Sequence, residues 1–223
     1  MTASESPKLI YVAMRHPRYS HETFIKRWRE HAALGMRQPR WRNVARYLHC
    51  DRIDGLSASV PTIDCDGIAV VVYRSETARQ AHIADESARR TMKQDELDTF
   101  AQPVANMAVL LIEHVERPAP LDGFRLFVFW PTGPTDHSLA RYGNLLQRAD
   151  VGWTRNEATE RMGAWDCPRV DELSSATIEP LCALVARVAD ALDVAQRGND
   201  GNGIEREEPR LVLTRTVVLH DVT

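Results

Sequence analysis

Residues 66–73 read DGIAVVVY, and how this stretch is read decides the fold. Ile68, Val70 and Val72 alternate with Ala69, Val71 and Tyr73, so as a strand the segment is apolar on both faces. A sheet built from such strands needs a cover on each side. Working outward, KLIYVAMRH (8–16) and NVARYLHCD (43–51) read as strands before it, and ANMAVLLIEHV (105–115) as a strand after it. SHETFIKRWREHAALGMR (20–37) is helical: Ser20 is a plausible N-cap, and Phe24, Trp28, His31 and Gly35 share one face. The run from Ser75 to Phe100 is also helical, with a break expected near Asp85–Ser87. The order is β-α-β-β-α-β, that of ferredoxin-like domains.

After RPAPLDG (117–123), which reads as a linker, the order recurs at lower contrast. FRLFVFW (124–130), VGWTRNEATERM (151–162) and RLVLTRTVVLH (210–220) read as strands, with WDCPRVDELSS (165–175) weakened as a strand by Pro168. DHSLARYGNLLQRAD (136–150) and IEPLCALVARVADALDVAQ (178–196) read as helices. The expectation is an α+β chain of two ferredoxin-like βαββαβ repeats, residues 1–117 and a diverged 118–223. Packed sheet to sheet, the two units form a pseudo-dimer around a pocket.

Composition narrows the function. The chain has 223 residues, 43% hydrophobic and 26% charged, with a net charge of −3, which speaks against a basic nucleic-acid binder. Cys50, Cys65, Cys167 and Cys182 are scattered without a CxxC, the pattern of a reducing compartment. No apolar run approaches the roughly 20 residues of a membrane helix, and MTASESPK has no secretory apolar core, so the expected location is cytoplasmic. GxGxxG, P-loop and GxSxG motifs are absent, which leaves dinucleotide, phosphotransfer and serine-hydrolase chemistry unsupported.

WREHAALGM (28–36), YLHC (47–50) and DCDGIAVVVYRS (64–75) together resemble the EthD family over roughly residues 8–116. The resemblance implies the dimeric α/β-barrel fold. It implies a range of activities too: an accessory factor of ether degradation, dehydratase-like members of polyketide pathways and, on similar barrels, lactone isomerases, cyclases, cofactor-free monooxygenases and haem-degrading enzymes. Helix 136–150 has no Trp-Arg-x-His run and the second half no counterpart to His49, so the site is expected in the first half.

His31 shares the helix face of Trp28, where an imidazole serves as general acid or base or as a satisfied core histidine. Tyr47 and His49, two apart on a strand, point to one face. If that face is the barrel interior, they suit proton transfer next to a carbonyl, the phenol holding an enolate oxygen. Asp66 is a candidate to orient His31 or His49, although Asp-Gly at a strand entrance is turn chemistry and that reading is preferred. Arg15 and Tyr11 share a strand face and, with Trp28, are candidates for substrate binding, with Trp130 capping the pocket from the opposite sheet. The basic run Lys26, Arg27, Arg29, Arg37, Arg40, Arg42, Arg46 reads as a solvated surface. No compact metal-ligand pair is present.

These readings describe an acid–base enzyme without a cofactor: a lyase or dehydratase, an isomerase, or a cyclase. It would act on a small hydrophobic or aromatic carbonyl compound. An oxygen- or haem-dependent monooxygenase of the same barrel type and a non-catalytic ligand-binding protein are the alternatives. A lone haem-ligating His and a homodimer both stay open, while no nucleic-acid or membrane partner is expected.

Overall fold

Local sequence starts and stops the helices much as it predicts. A computed structural model describes residues 6–56, 60–118, 120–131, 136–160, 167–197 and 209–222. Helix α1 (His21–Met36) begins where the Ser20 hydroxyl accepts the Thr23 amide N–H. Asp85 is the expected break: it ends α2 (Glu76–Ala84) and caps α3 (Glu86–Thr99) by accepting the Ala88 amide. Helices α4 (Asp136–Gln147) and α5 (Glu179–Arg197) belong to the second half. None of the described helices is long and apolar enough to cross a membrane.

Eight strands form a closed antiparallel barrel: β1 (Pro7–Ala13), β2 (Val44–Arg52), β3 (Gly67–Tyr73), β4 (Ala108–Arg117), β5 (Gly123–Trp130), β6 (Gly152–Glu160), β7 (Arg169–Ser175) and β8 (Arg210–Asp221). Pro168 directly precedes β7, where its missing N–H costs no ladder bond. The barrel order is β1-β3-β2-β8-β5-β7-β6-β4, with β4 returning to β1. The expected picture of two stacked sheets needs correction here. Leu48 of β2 pairs with Val218 of β8, and Ile112 of β4 with Glu157 of β6, so hydrogen bonds close the layers into one wall.

Both strand faces are covered, as the two-sided apolar pattern requires. Ile68, Val70 and Val72 join Ile10, Val12, Leu48, Cys50, Leu111, Phe127 and Phe129 in the barrel interior. Ala69, Val71 and Tyr73 face outward, beneath Phe24, Trp28 and Ala32 of α1. The second half repeats this outer layer with Leu126, Val128, Trp130 and Leu173 beneath Tyr142, Leu181 and Val188.

Charges also lie inside. Lys8 donates to Glu113 at 2.6 Å, Glu172 at 2.7 Å and Asn156 at 2.9 Å, and Arg125 donates to Glu172 at 3.0 Å. Lys8 is 2% exposed and Glu172 1%. Burial pushes the Glu172 carboxyl up, but Lys8 and Arg125 outweigh it and leave it below the ordinary carboxylate range.

His82 of α2 is buried between Tyr73 and Trp41, with Nδ1 on the Arg40 carbonyl at 3.1 Å. Burial, then the Arg40 charge, moves its imidazole from 6.5 down to about 4. Between those two values the unfolded chain binds a proton that the folded chain refuses, so stability must fall as pH drops from about 6.5 toward 4. The expected loss is up to about 3 kcal/mol. Urea midpoints across that range should show it, and His82→Gln should flatten the slope; an unchanged slope in that variant would exclude His82 as its source.

Candidate active site

Two residues apart on β2, Tyr47 and His49 share a face as the strand period demands, and that face is the outer one beneath α1. The expectation that imidazoles reach into the barrel is therefore corrected. Leu48 and Cys50, of the opposite parity, point inward instead.

Helix α1 lays Trp28 flat on His49, ring centroids 3.8 Å apart and planes at 15°. Gly67 permits this approach: a Cβ there would sit 2.7 Å from the Trp28 ring and 2.8 Å from the Cys50 carbonyl oxygen. Its φ is not positive, so Asp66–Gly67 is not a left-handed turn, and closeness is what selects glycine. Trp28 Nε1–H donates to the Tyr11 hydroxyl at 3.1 Å, which lies 3.2 Å from the Tyr47 hydroxyl, itself 2.7 Å from His49 Nε2.

Hydrogen-bond valence orders this chain. The Arg29 guanidinium, which only donates, faces His49 Nδ1, so Nδ1 carries the lone pair. Burial first, then Arg29 and His31, push the His49 imidazole well below its usual value, so its single proton sits on Nε2 and is donated to Tyr47. Burial raises Tyr11 to about 12 and Tyr47 well above its ordinary value, so both phenols keep their protons. His49 thus acts as a donor; its one lone pair is occupied.

His31 is buried as well, but its ring is less fully engaged. Its Nδ1 lies 2.7 Å from Asp95 Oδ2 of α3, and its ring meets Phe100 edge-on at 5.1 Å. Phe100 also meets Tyr11, at 6.0 Å. The His31 hydrogen bond, outweighing burial and helped by Arg27 at 2.5 Å, holds the Asp95 carboxyl at about 2. Asp95 is therefore a carboxylate that accepts Nδ1–H, so whenever the ring carries a single proton its lone pair is on Nε2. No described residue bonds that atom.

Of the expected site residues, Tyr11, Trp28, Tyr47 and His49 form one network, which His31 meets through the Phe100 ring. Asp66 does not orient either histidine: it accepts from the Arg15 amide at 2.8 Å, from the Arg15 guanidinium, and contacts His21 Nδ1 at 3.0 Å. This engages Arg15 as well. Trp130 lies in the second half's outer layer, where Nε1 donates to buried Asp171 at 2.9 Å, and it caps nothing near His31. The orienting groups missed in the sequence are Asp95 and Arg29. Arg29 also binds Asp51 at 2.5 and 2.6 Å, so part of the basic run is engaged in ion pairs. Among the described residues no group of three or more His, Cys, Asp or Glu is arranged to hold a metal ion. Of the two site histidines, only His31 keeps a ring nitrogen outside these hydrogen bonds.

Several solved structures share the fold. An anthrone oxidase-like protein is 11% identical and superposes with a TM-score of 0.61 over 98% of this chain and 93% of its own. A protein from Fusobacterium nucleatum subsp. nucleatum ATCC 25586, provisionally assigned as a monooxygenase, is 10% identical, with a TM-score of 0.55 over 99% and 94%. A chlorite dismutase variant from Candidatus Nitrospira defluvii is 11% identical, with a TM-score of 0.53 over 96% and 92%. At such identity the likeness establishes the fold alone, that of the dimeric α/β-barrel proteins. No curated protein matches the sequence. Residues 16–103, which carry Trp28, Arg29, His31, Tyr47, His49 and Asp95, match the profile of the EthD domain.

Proposed function

We propose that the protein is a cofactor-independent acid–base enzyme acting on a small hydrophobic or aromatic carbonyl compound, with its chemistry beneath α1 and not in the barrel interior. The observation that carries this reading is the His31–Asp95 pair at 2.7 Å, joined through the Phe100 ring to two phenols that both keep their protons. His31 Nε2 removes a proton from the carbon next to the carbonyl, and Asp95 stabilises the imidazolium that forms. The Tyr11–Tyr47 pair, supported by Trp28 Nε1–H and His49 Nε2–H, donates to the oxygen on which negative charge develops. Returning the proton elsewhere gives an isomerase; expelling a β-hydroxyl gives a dehydratase.

Exchange in D2O tests this without knowledge of the product. Aryl ketones with acidic α-hydrogens, incubated with the protein, should gain deuterium faster than in buffer, as read by mass spectrometry. Absence of enzyme-dependent exchange across such a panel, with ligands bound and recovered unchanged, would leave a binding protein. Oxygen uptake in the same incubations separates an oxygenase, the kind of activity named for two of the fold neighbours.

A further inference from the structure

The wall where Trp41 meets Tyr47 carries more hydrogen-bond donors than the described residues can satisfy. Trp41 lies in the 3-10 turn Pro39–Asn43, half-buried, with its ring 5.1 Å from Tyr47, 6.1 Å from His220 and 6.2 Å from His82. Its indole Nε1–H is buried with no partner, as are Arg40 Nε and His220 Nε2.

A further donor follows from counting protons. Tyr47 accepts from His49 and Tyr11 accepts from Trp28. The two hydroxyls can share only one hydrogen across their 3.2 Å separation. Two phenolic protons are present, so one is left without an acceptor among the described residues.

Arg40 adds charge. Its only described hydrogen bond as a side-chain donor is to the His82 carbonyl at 3.5 Å, and among the described residues it has no carboxylate within ion-pair distance. Burial lowers its guanidinium, while Asp85 and Glu96 act on it only from farther away. Arg40 directly precedes Trp41 in the turn and both approach His82, while the Trp41 ring reaches Tyr47 at 5.1 Å, which brings Arg40 and the phenols to the two sides of one indole. Burial raises the Glu96 carboxyl above its ordinary value, against the Val104 amide that it accepts from.

Buried donors without acceptors are costly, and more so on a charged guanidinium. We propose that this wall binds an organic anion: a flat ring lying against Trp41, whose carboxylate or phenolate oxygens accept from Arg40, Trp41 Nε1–H and the unpaired phenolic O–H. The assignment rests on the acid–base reading in that the same phenol pair serves both, and it deepens that reading by naming an anionic aromatic substrate.

Calorimetric titration with 1-hydroxy-2-naphthoate and with its neutral counterpart 1-hydroxy-2-naphthamide tests it. The acid should bind about tenfold tighter or better. Arg40→Gln should erase that preference, and Trp41→Phe and Tyr11→Phe should each weaken the acid by about tenfold, with circular dichroism reporting that each variant is folded. Equal binding of acid and amide, or a preference that survives Arg40→Gln, would overturn the proposal. If Arg40→Gln fails to fold, the wild-type acid-to-amide ratio decides alone. The exchange assay keeps the two ideas apart. Acid-selective binding without α-hydrogen exchange retains the anion site and removes the acid–base enzyme; exchange without acid selectivity does the reverse.

Discussion

His31→Ala is expected to lower enzyme-dependent α-hydrogen exchange by about 10²–10⁴-fold, the range for loss of a general acid–base group. The reason is the order of protons in the site. His49 has both ring nitrogens engaged, Nδ1 by Arg29 and Nε2 by Tyr47, so it cannot replace His31 as base. Asp95→Asn retains an oxygen for Nδ1–H but removes the charge that stabilises the imidazolium, and an intermediate loss is expected. Affinity for a non-exchanging ligand should change little in either variant, because the phenol pair that holds the oxygen is untouched. Exchange at the wild-type rate in His31→Ala would move the base elsewhere and remove the mechanism.

The largest effect on stability is expected inside the barrel. Lys8→Met leaves Glu172, 1% exposed, without the cation 2.7 Å away, and leaves Glu113 facing it with the same charge. Breaking a buried pair by removing one partner costs about 3–5 kcal/mol, because a charge stays buried and uncompensated. Arg125 at 3.0 Å retains one contact to Glu172, which places the expected loss toward the lower end. The shift of the urea midpoint measures it. Adding Glu172→Leu to Lys8→Met should not recover the loss, since it leaves Arg125, 6% exposed, without its carboxylate partner. A loss below about 1 kcal/mol would show the cluster to be solvated, contrary to its burial.

Particular residues show how far the sequence can be read. The helix faces were legible because apolar side chains three and four apart must lie together: Phe24, Trp28, His31 and Gly35 are all buried on α1. The Asp85 break was legible because a short carboxylate ends one helix and caps the next. The placing of Tyr47 and His49 on one face was legible for the same kind of reason. Asp95 was not, since nothing in a chain records that a carboxylate 64 residues from His31 will come within hydrogen-bond distance of it. Lys8 was equally hidden: one lysine at the start of an apolar strand gives no sign of three acceptors gathered from β4, β6 and β7.

Local periodicity thus determined the elements, their caps, the two-sided burial of the strands and the grouping of side chains by face, because these depend on backbone geometry within a few residues. Tertiary structure alone decided which face of β2 turned toward the helix and which toward the barrel. A strand with apolar residues at both parities fits either way round, and the choice is made when β2 pairs with β8 and the sheet closes on itself. That closure set the imidazoles and phenols beneath α1 and left the interior to apolar groups, Phe127 and Phe129 among them, and the charge cluster around Lys8 and Glu172.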